Sequence, residues 1–192
     1  IVAQYYSVCA ANENWGGMVE LLIKDGNNYD RNDTRFPFLR ALDPYAGHSW
    51  ESGHGDFGDG NNEESSSESM NFATAVILWG SITKQNDIRD LGIYLYTTER
   101  SAIEQYWFDI DDEVFPAPYP YKALGMVWGA KGVHSTWFGA DPDFIHGINM
   151  LPFNGGSLYL GRNPEYVQAN YDEVIDELNL SLIHISEPTR PY

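Results

Sequence analysis

Two glutamates, Glu64 and Glu68, lie four residues apart in an acidic, serine-rich run that directly precedes a long apolar segment. If a helix begins in this run, both carboxylates lie on one face of it, near the positive end of the helix dipole. Like charges at this spacing repel each other by roughly a few tenths of a kcal/mol. Carboxylates kept together despite that repulsion indicate a helix cap, a metal site or a catalytic pair.

The segment just upstream combines aromatic rings with a carboxylate and a histidine, since it contains Asp43, Tyr45, His48 and Trp50. Aromatic rings stack on sugar faces, and carboxyl groups move protons when glycosidic bonds are cleaved. The segment therefore predicts a carbohydrate-binding groove beside the glutamates. Two alternatives stay open, because a single aromatic residue is more often part of a core and an Asp-Pro pair more often begins a turn than supplies a second acid.

Taken together, the two stretches resemble the signature of endo-β-1,3-glucanases of glycoside hydrolase family 81. The resemblance reaches to about residue 178, with further motifs at residues 89–99, 106–109, 127–129, 136–140 and 145–152. It implies hydrolysis of internal β-1,3-glucan bonds with inversion and without a cofactor. It also implies that Glu64 and Glu68 are the general base and its supporting carboxylate, without indicating which is which.

The aromatic pattern and the resemblance together give a set of residues expected to contact the sugar. These are Asp43, Tyr45, His48, Trp50, Asn61, Asn62, Trp137 and His146. Trp107 and Trp128 are further candidates for the groove, but Trp107 stands on a long apolar helix face and is interpreted as core. Glu51 and Glu63 depart from the family pattern, which leads us to expect a small residue and a Gln there. Either carboxylate adds negative charge near the site and raises the pKa of a neighbour.

An inverting site needs a protonated acid as well as a base, with roughly 6.5–9.5 Å between the two carboxyl groups. In the family the acid is an Asp in a segment that should precede the residues matching Ile1, so we expect it outside these 192 residues. Asp25 and Asp30 lie in a plain polar loop and do not fit that role. The chain is accordingly interpreted as an internal fragment of the catalytic domain, poorly soluble and without laminarin hydrolysis on its own.

Helix capping is the main alternative for the glutamate pair. Ser65 and Glu68 have the spacing of a capping box, and both roles are compatible if Ser65 caps the helix while Glu68 faces the groove. No metal site is predicted. The spacing of His48 and His54 fits no standard zinc motif, and the acidic loop at residues 56–64 does not fit the calcium-loop pattern.

The composition narrows the choice of partner. A net charge of −17 argues against nucleic acid and anionic membrane surfaces, which attract basic patches, while a neutral glucan is indifferent to it. Aromatic residues make up 15% of the chain, which suits a sugar-binding groove. Cys9 is the single cysteine and is expected to be a buried thiol. The resemblance implies an extracellular, secreted protein.

The hydrophobic pattern predicts a mostly α fold. Helices are expected at about residues 2–11, 15–24, 65–83, 87–109, 142–149 and 164–178, with a long ordered loop at 37–60 and a short β-hairpin within 125–137. The helix at 15–24 should present Met18, Leu21, Leu22 and Ile23 as its apolar side. The pairs of helices fit part of the (α/α)6 toroid that the resemblance implies.

The last residues of the chain have a separate explanation. Residues 180–192 resemble the translation of a sequencing-library adapter and are expected not to belong to the domain, which leaves residues 1–179 as the fragment of the helical toroid. Two rival functions remain: a non-catalytic glucan-binding module that kept the aromatic residues, and another carbohydrate-active enzyme built on a helical toroid.

Overall fold

A computed structural model describes residues 14–51 and 57–185, with side chains up to residue 176. The predictions for the first helix, Cys9, His54 and the last seven residues lie outside this range. The described helices are α1 (Trp15–Asn27), α2 (Ser66–Thr83), α3 (Asn86–Tyr106), α4 (Pro142–Met150) and α5 (Pro164–Ile185), with a 3-10 helix at Gly155–Gly161 before α5. The mostly α prediction is therefore confirmed.

The centre of the fold is the hairpin of α2 and α3, which the sequence predicted. Lys84 ends α2 in the left-handed conformation, with a φ of 60°, and lets the chain turn within three residues. Two glycines allow the helices to touch, because a Cβ at Gly80 would collide with the backbone of Arg89 and one at Gly92 would stand 2.6 Å from the amide nitrogen of Ile77. The first core lies here and comprises Ile23, Leu42, Ala73, Val76, Trp79, Ile88, Leu91 and Leu95.

A second core lies at the other end of the hairpin. It is formed by Met70, Ile103, Trp107, Phe108, Ala123, Leu124, Val127 and Tyr159. Trp107 is fully buried, as its place on an apolar helix face predicted. Burial of side chains of this size contributes roughly 1.5–3 kcal/mol each, so this core fixes the loop at residues 123–127 against α3.

Helix α1 departs from its predicted packing. Ile23 is buried, but Met18, Leu21 and Leu22 are 48%, 47% and 62% exposed. The helix is present and runs three residues further than expected, but the described residues cover only Ile23 of its predicted apolar side. Periodicity identified the apolar side of the helix correctly, but it does not specify what covers that side.

The strands are short and organise the loops. β1 (Leu42–Asp43) pairs antiparallel with β2 (His48–Ser49), inside the predicted long loop. β3 (Asn62–Glu63), β4 (Met126–Trp128) and β5 (Gly132–Val133) form an antiparallel sheet in that order. The predicted hairpin at residues 125–137 is confirmed as β4 and β5, and β3 is an addition that periodicity did not indicate.

The C-terminal helix is longer than predicted. α5 ends at Ile185, not near residue 178, and so continues into the segment interpreted as adapter-derived. In the described part of the chain, no helix is long and apolar enough to cross a bilayer.

Candidate active site

The first turn of α2 displays one of the two predicted glutamates. Ser65 is the N-cap, and its hydroxyl accepts a hydrogen bond from the backbone amide of Glu68 at 3.2 Å. The N-cap uses the backbone amide of Glu68, while Glu68 itself is exposed. A cap and a carboxylate presented to solvent therefore coexist at this turn, as the sequence allowed.

Glu64 lies between β3 and the cap, and it is 8% exposed. Its Oε1 accepts a hydrogen bond of 2.6 Å from the backbone amide of Trp137. Hydrogen bonds from an amide to a carboxylate are about twice as strong as those between neutral groups, so this contact fixes Glu64 to the loop that carries Trp137. The structure thus joins two residues of the predicted site that are distant in sequence.

The serines of the acidic run anchor the turn. The Ser66 hydroxyl donates to Oδ1 of Asn149 at 2.7 Å, and the Ser67 hydroxyl lies 2.6 Å and 2.7 Å from the carbonyl oxygens of Ile148 and Leu151. These contacts hold the start of α2 against the end of α4. The sequence analysis assigned the serines only a capping role, because hydrogen bonds between segments leave no local pattern.

Three aromatic side chains, here called the aromatic trio, lie beside Glu64. The Trp137 ring is 5.6 Å from that of Phe57 and 5.5 Å from that of Trp128, and Phe57 and Trp128 are themselves 5.5 Å apart, centroid to centroid. Trp137 is 52% exposed. Phe57 was not predicted, although an aromatic residue in a loop rich in Gly and Asp was a usable signal. Exposed rings next to a held carboxylate form a surface on which a sugar can stack.

The β1–β2 hairpin carries the upstream residues of the predicted groove. Oδ2 of Asp43 accepts a hydrogen bond of 3.0 Å from the Trp50 indole, and its Oδ1 accepts from the amides of Tyr45 and Ala46. The bond from Trp50 is the main cause that holds the pKa of Asp43 below its ordinary value. Asp43 is thus an ionised turn residue and does not hold the proton that a general acid must deliver. Tyr45, in the same turn, is 99% exposed.

His48 lies beneath this hairpin, in the core. It is 1% exposed, its Nδ1 lies 2.7 Å from the carbonyl oxygen of Ser49, and its ring meets those of Trp50 and Trp107 edge-on at 4.4 and 5.0 Å. Burial lowers its pKa. A side chain in this position supports Trp50 from inside, and the structure gives it no surface on which to contact a sugar.

The two asparagines occupy different positions. Asn62 is 1% exposed and pairs with Trp128 in the sheet. Asn61 lines a groove of about 510 Å³ together with Asp43, Trp50 and Glu51. Its Oδ1 is buried and has no hydrogen-bond partner among the described residues.

Further carboxyl groups, of which Glu63 and Glu99 are buried and Glu51 is exposed, lie near the glutamate pair. Glu63 is 6% exposed, and burial, followed by the charges of Glu99, Glu51 and Glu68, raises its pKa well above the ordinary value. Burial and then the charge of Glu64 raise the pKa of Glu51. The prediction that Glu51 or Glu63 raises the pKa of a neighbour is confirmed, since Glu51 acts on Glu63. Glu99 had no predicted role.

His146 lies in the junction between α4 and α5. It is 2% exposed, its side chain hydrogen-bonds with Asn170, and its Nε2 lies 3.6 Å from Oε1 of Glu173. Burial, with a smaller contribution from His134, lowers its pKa to about 4. The described structure therefore does not place His146 with the glutamates or the aromatic trio.

No three His, Cys, Asp or Glu side chains within residues 14–51 and 57–176 converge in a way that would hold a metal ion. The described site is accordingly composed of carboxylates, exposed rings and one unpartnered amide oxygen. This is the set of groups that hydrolysis of a neutral polysaccharide uses.

Comparison with known proteins agrees with this chemistry. The glycosyl hydrolase family 81 C-terminal domain matches residues 2–185. A glucan endo-1,3-beta-D-glucosidase of Acetivibrio thermocellus is 55% identical over 90% of the chain and 22% of its own length. One of Thermobifida fusca is 46% identical over 92% of the chain and 23% of its own length.

A solved structure resembles the chain equally well. It is of a mutant glycoside hydrolase of family 81 from Clostridium thermocellum, 53% identical, with a TM-score of 0.88, and the match covers 92% of this chain and 24% of that one. The chain thus spans less than a quarter of the length of these relatives. Because the match to the C-terminal domain of glycosyl hydrolase family 81 covers nearly all of its residues, the chain belongs to this family.

Proposed function

We propose that this chain forms part of a secreted endo-β-1,3-glucanase that inverts at the anomeric carbon. Glu64 and Glu68 supply the general base and its supporting carboxylate. The observation that carries the proposal is the hydrogen bond from the Trp137 amide to Glu64, because it places a carboxylate beside exposed rings. The relatives named as glucan endo-1,3-beta-D-glucosidases support β-1,3-glucan as the substrate.

In an inverting reaction, the base removes a proton from water as the water oxygen attacks the anomeric carbon. The glycosidic oxygen leaves with a proton from an acid on the opposite face. A base must stay ionised, and the start of a helix favours the ionised form of a carboxylate. Glu68 lies in the first turn of α2 and Glu64 just before its cap. The acid is expected from a part of the protein outside these residues.

The substrate is expected to be neutral. Exposed Trp137 and half-buried Trp50 offer ring faces, and Asn61 lines the groove together with Trp50. The net charge of −17 repels polyuronates, nucleic acids and anionic membranes. Laminarin, a soluble β-1,3-glucan, is therefore the test substrate.

The remaining surface supports a larger domain. Trp15, Leu22, Phe153 and Leu158 are between 62% and 80% exposed, which is unusual for large apolar side chains. We infer that further helices of the same catalytic domain cover these faces and complete an (α/α)6 toroid. On this basis, the isolated chain is expected to be poorly soluble and inactive.

The test is a chimera in which residues 2–185 of this chain replace the matching segment of the Acetivibrio thermocellus relative. We expect the chimera to release reducing ends from laminarin and none from a polyuronate, with α-configured products at first. The unmodified relative is the control for expression and assay. A folded chimera that binds laminarin without cleaving it would favour the glucan-binding module, and cleavage of the polyuronate alone would favour another carbohydrate-active enzyme.

Azide separates the roles of the two glutamates. It attacks the anomeric carbon without needing a base, so it restores bond cleavage only where the base has been removed. We expect azide to rescue one of Glu64→Ala and Glu68→Ala in the chimera and not the other. The rescued variant identifies the base, and rescue of neither would contradict the assignment of the pair.

A further inference from the structure

Glu99 is a buried carboxylate in the middle of α3 that the proposed reaction does not use directly. It is 2% exposed. Its Oε1 and Oε2 lie 3.0 and 3.1 Å from the backbone nitrogen of Ser49, which donates to both, and the Ser49 hydroxyl donates to Oε2 at 3.1 Å. The Ser69 hydroxyl also hydrogen-bonds to this carboxylate. A buried charge is costly, so a carboxylate with this set of donors is a specific arrangement and not a chance packing contact.

These donors belong to the two segments that form the candidate site. Ser49 ends β2 and immediately precedes Trp50, while Ser69 follows Glu68 on α2. Glu99 therefore joins the hairpin that carries the Trp50 ring to the helix that carries the exposed glutamate.

The Trp50 side chain depends on this attachment. Its indole is bonded to Asp43, its backbone amide donates to the carbonyl of Ala41 at 3.0 Å, and its ring meets His48. Asp43 and His48 belong to the same hairpin, and Ala41 directly precedes it. The bonds from Ser49 to Glu99 tie this hairpin to α3 at the residue next to Trp50. They act together with the packing of His48 on Trp107 and with the bond from the Glu51 amide to the carbonyl of Asn62.

We propose that Glu99 is a positioning residue for substrate binding, which holds the β1–β2 hairpin through Ser49 and so fixes the Trp50 ring against the groove. This inference rests on the proposed function, because it assigns Trp50 to glucan binding. The amide and the hydroxyl of Ser49 make three contacts with the two carboxylate oxygens. In Gln, an NH₂ group, which is itself a donor, replaces one of the two oxygens, so the three contacts with Ser49 cannot all form.

The test uses Glu99→Gln and Trp50→Ala in the chimera, singly and together, with laminarin as substrate. Loss of a binding contact that is equal in the ground and transition states raises KM and leaves kcat unchanged. We expect each single variant to raise KM about tenfold with kcat within about threefold. Because Glu99 acts through Trp50, Glu99→Gln should add almost nothing to KM when Trp50 is already Ala.

Glu104→Gln is the matched control. Glu104 lies further along the same helix, is largely buried, and pairs with Arg100 at 3.0 Å and Arg162 at 3.2 Å, away from the hairpin. We expect it to keep the parental KM. Thermal unfolding of every variant checks that the fold survives. If Glu99→Gln does not fold, Ser49→Ala removes the hydroxyl contact alone and should raise KM about threefold, again only when Trp50 is present.

The outcomes separate the two claims. The positioning role is overturned if the KM increases of the two single variants multiply in the double variant. It is also overturned if Glu99→Gln folds and keeps the parental KM. Both results leave the proposed function intact. A folded parent that neither binds nor cleaves laminarin would overturn both. A drop in thermal stability with unchanged KM would assign Glu99 to the core alone.

Discussion

The start of α2 and the junction between α4 and α5 both bury ionisable side chains, but they handle charge in opposite ways. The first, here called the acidic turn, comprises Glu51, Glu63, Glu64 and Glu68, with Glu99 behind them. Like charges and burial together raise the pKa of Glu63 and Glu51. A carboxyl group with a raised pKa does not stabilise the fold when it is ionised. Carboxyl groups with shifted pKa values next to exposed rings are typical of functional sites.

The second region, here called the histidine junction, comprises His134, His146 and Glu173. His134 stacks on Tyr121 at 3.7 Å, and Glu173 accepts a hydrogen bond of 2.7 Å from the backbone amide of Lys122. Imidazole rings lie next to a carboxylate here, and they connect α4 and α5 with the segment between α3 and α4 that contains Tyr121 and Lys122. The difference shows that burial of an ionisable residue is not itself a sign of function. The acidic turn accumulates carboxyl groups, whereas burial at the junction favours the neutral form of His146 beside Glu173.

The largest expected effect concerns the glutamate pair. Glu64→Gln and Glu68→Gln in the chimera should each lower kcat for laminarin at least about a hundredfold, because general-base assistance contributes roughly 10²–10⁴-fold. His146→Gln, a substitution in the histidine junction, should leave kcat within about threefold at neutral pH. Initial rates over a range of laminarin concentrations decide this. Near-parental turnover in both glutamate variants would leave helix capping as their role.

The aromatic trio gives the next effect. Trp137→Ala should raise KM for laminarin roughly tenfold, equivalent to about 1.4 kcal/mol, while the backbone amide that holds Glu64 remains. Phe138→Ala is the matched control, because Phe138 is also exposed, at 62%, but packs on Phe144 at 5.1 Å. Equal effects from both variants would show that the loop as a whole, and not the Trp137 ring, binds the glucan.

The two regions also differ in how far the sequence predicted them. At the acidic turn, the cap at Ser65 and the bounds of α2 follow from local rules and were predicted within a residue. The bond from Trp137 to Glu64 and that from Ser49 to Glu99 join residues 73 and 50 positions apart. Such contacts depend on how the elements pack, which neither periodicity nor spacing encodes.

The histidine junction illustrates the converse. His146 belongs to a motif of the family resemblance, and the resemblance alone made it a candidate for sugar contact. A motif shows which residue occurs at a position but not what that residue does. A packing residue and a binding residue therefore look the same in it. The exposed side of α1 is similar, since the pattern identifies an apolar face without identifying its partner.

The histidine junction should make the protein sensitive to mild acid. Burial lowers the pKa of His146 to about 4 from an ordinary value of 6.5, so the unfolded chain binds a proton in this window that the folded chain does not. Stability is therefore lost as the pH falls from 6.5 towards 4. His146→Gln removes that proton, and the drop in Tm of the chimera between pH 7.5 and pH 5 should shrink by about 3 °C.

Glu173, at 3.6 Å, is the group that opposes this effect, because its carboxylate favours the protonated imidazole. Of the other neighbours, His134 helps to lower the pKa of His146, and the hydrogen bond with Asn170 acts to raise it. If the Tm of the His146→Gln variant falls by more than that of the parent between pH 7.5 and pH 5, the attraction of His146 to Glu173 exceeds the effect of burial. The junction then contains an ion pair.

The smallest expected effect tests the acidic turn through stability and has the opposite sign with pH. Burial raises the pKa of Glu63 above its ordinary value of 4.5, so the folded chain keeps a proton that the unfolded chain releases. The stability linked to this proton is complete below pH 4.5 and falls as the pH rises through the folded pKa.

Glu63→Gln keeps the shape of the protonated group without a proton to lose. We expect it to raise the Tm of the chimera by about 2 °C at pH 7.5 and to leave it unchanged at pH 4. Glu104→Gln, which removes a carboxylate already paired with two arginines, should lower the Tm instead. A Tm gain for Glu63→Gln that is equal at both pH values would indicate better packing alone, and the acidic turn would then carry no excess charge for the fold to tolerate.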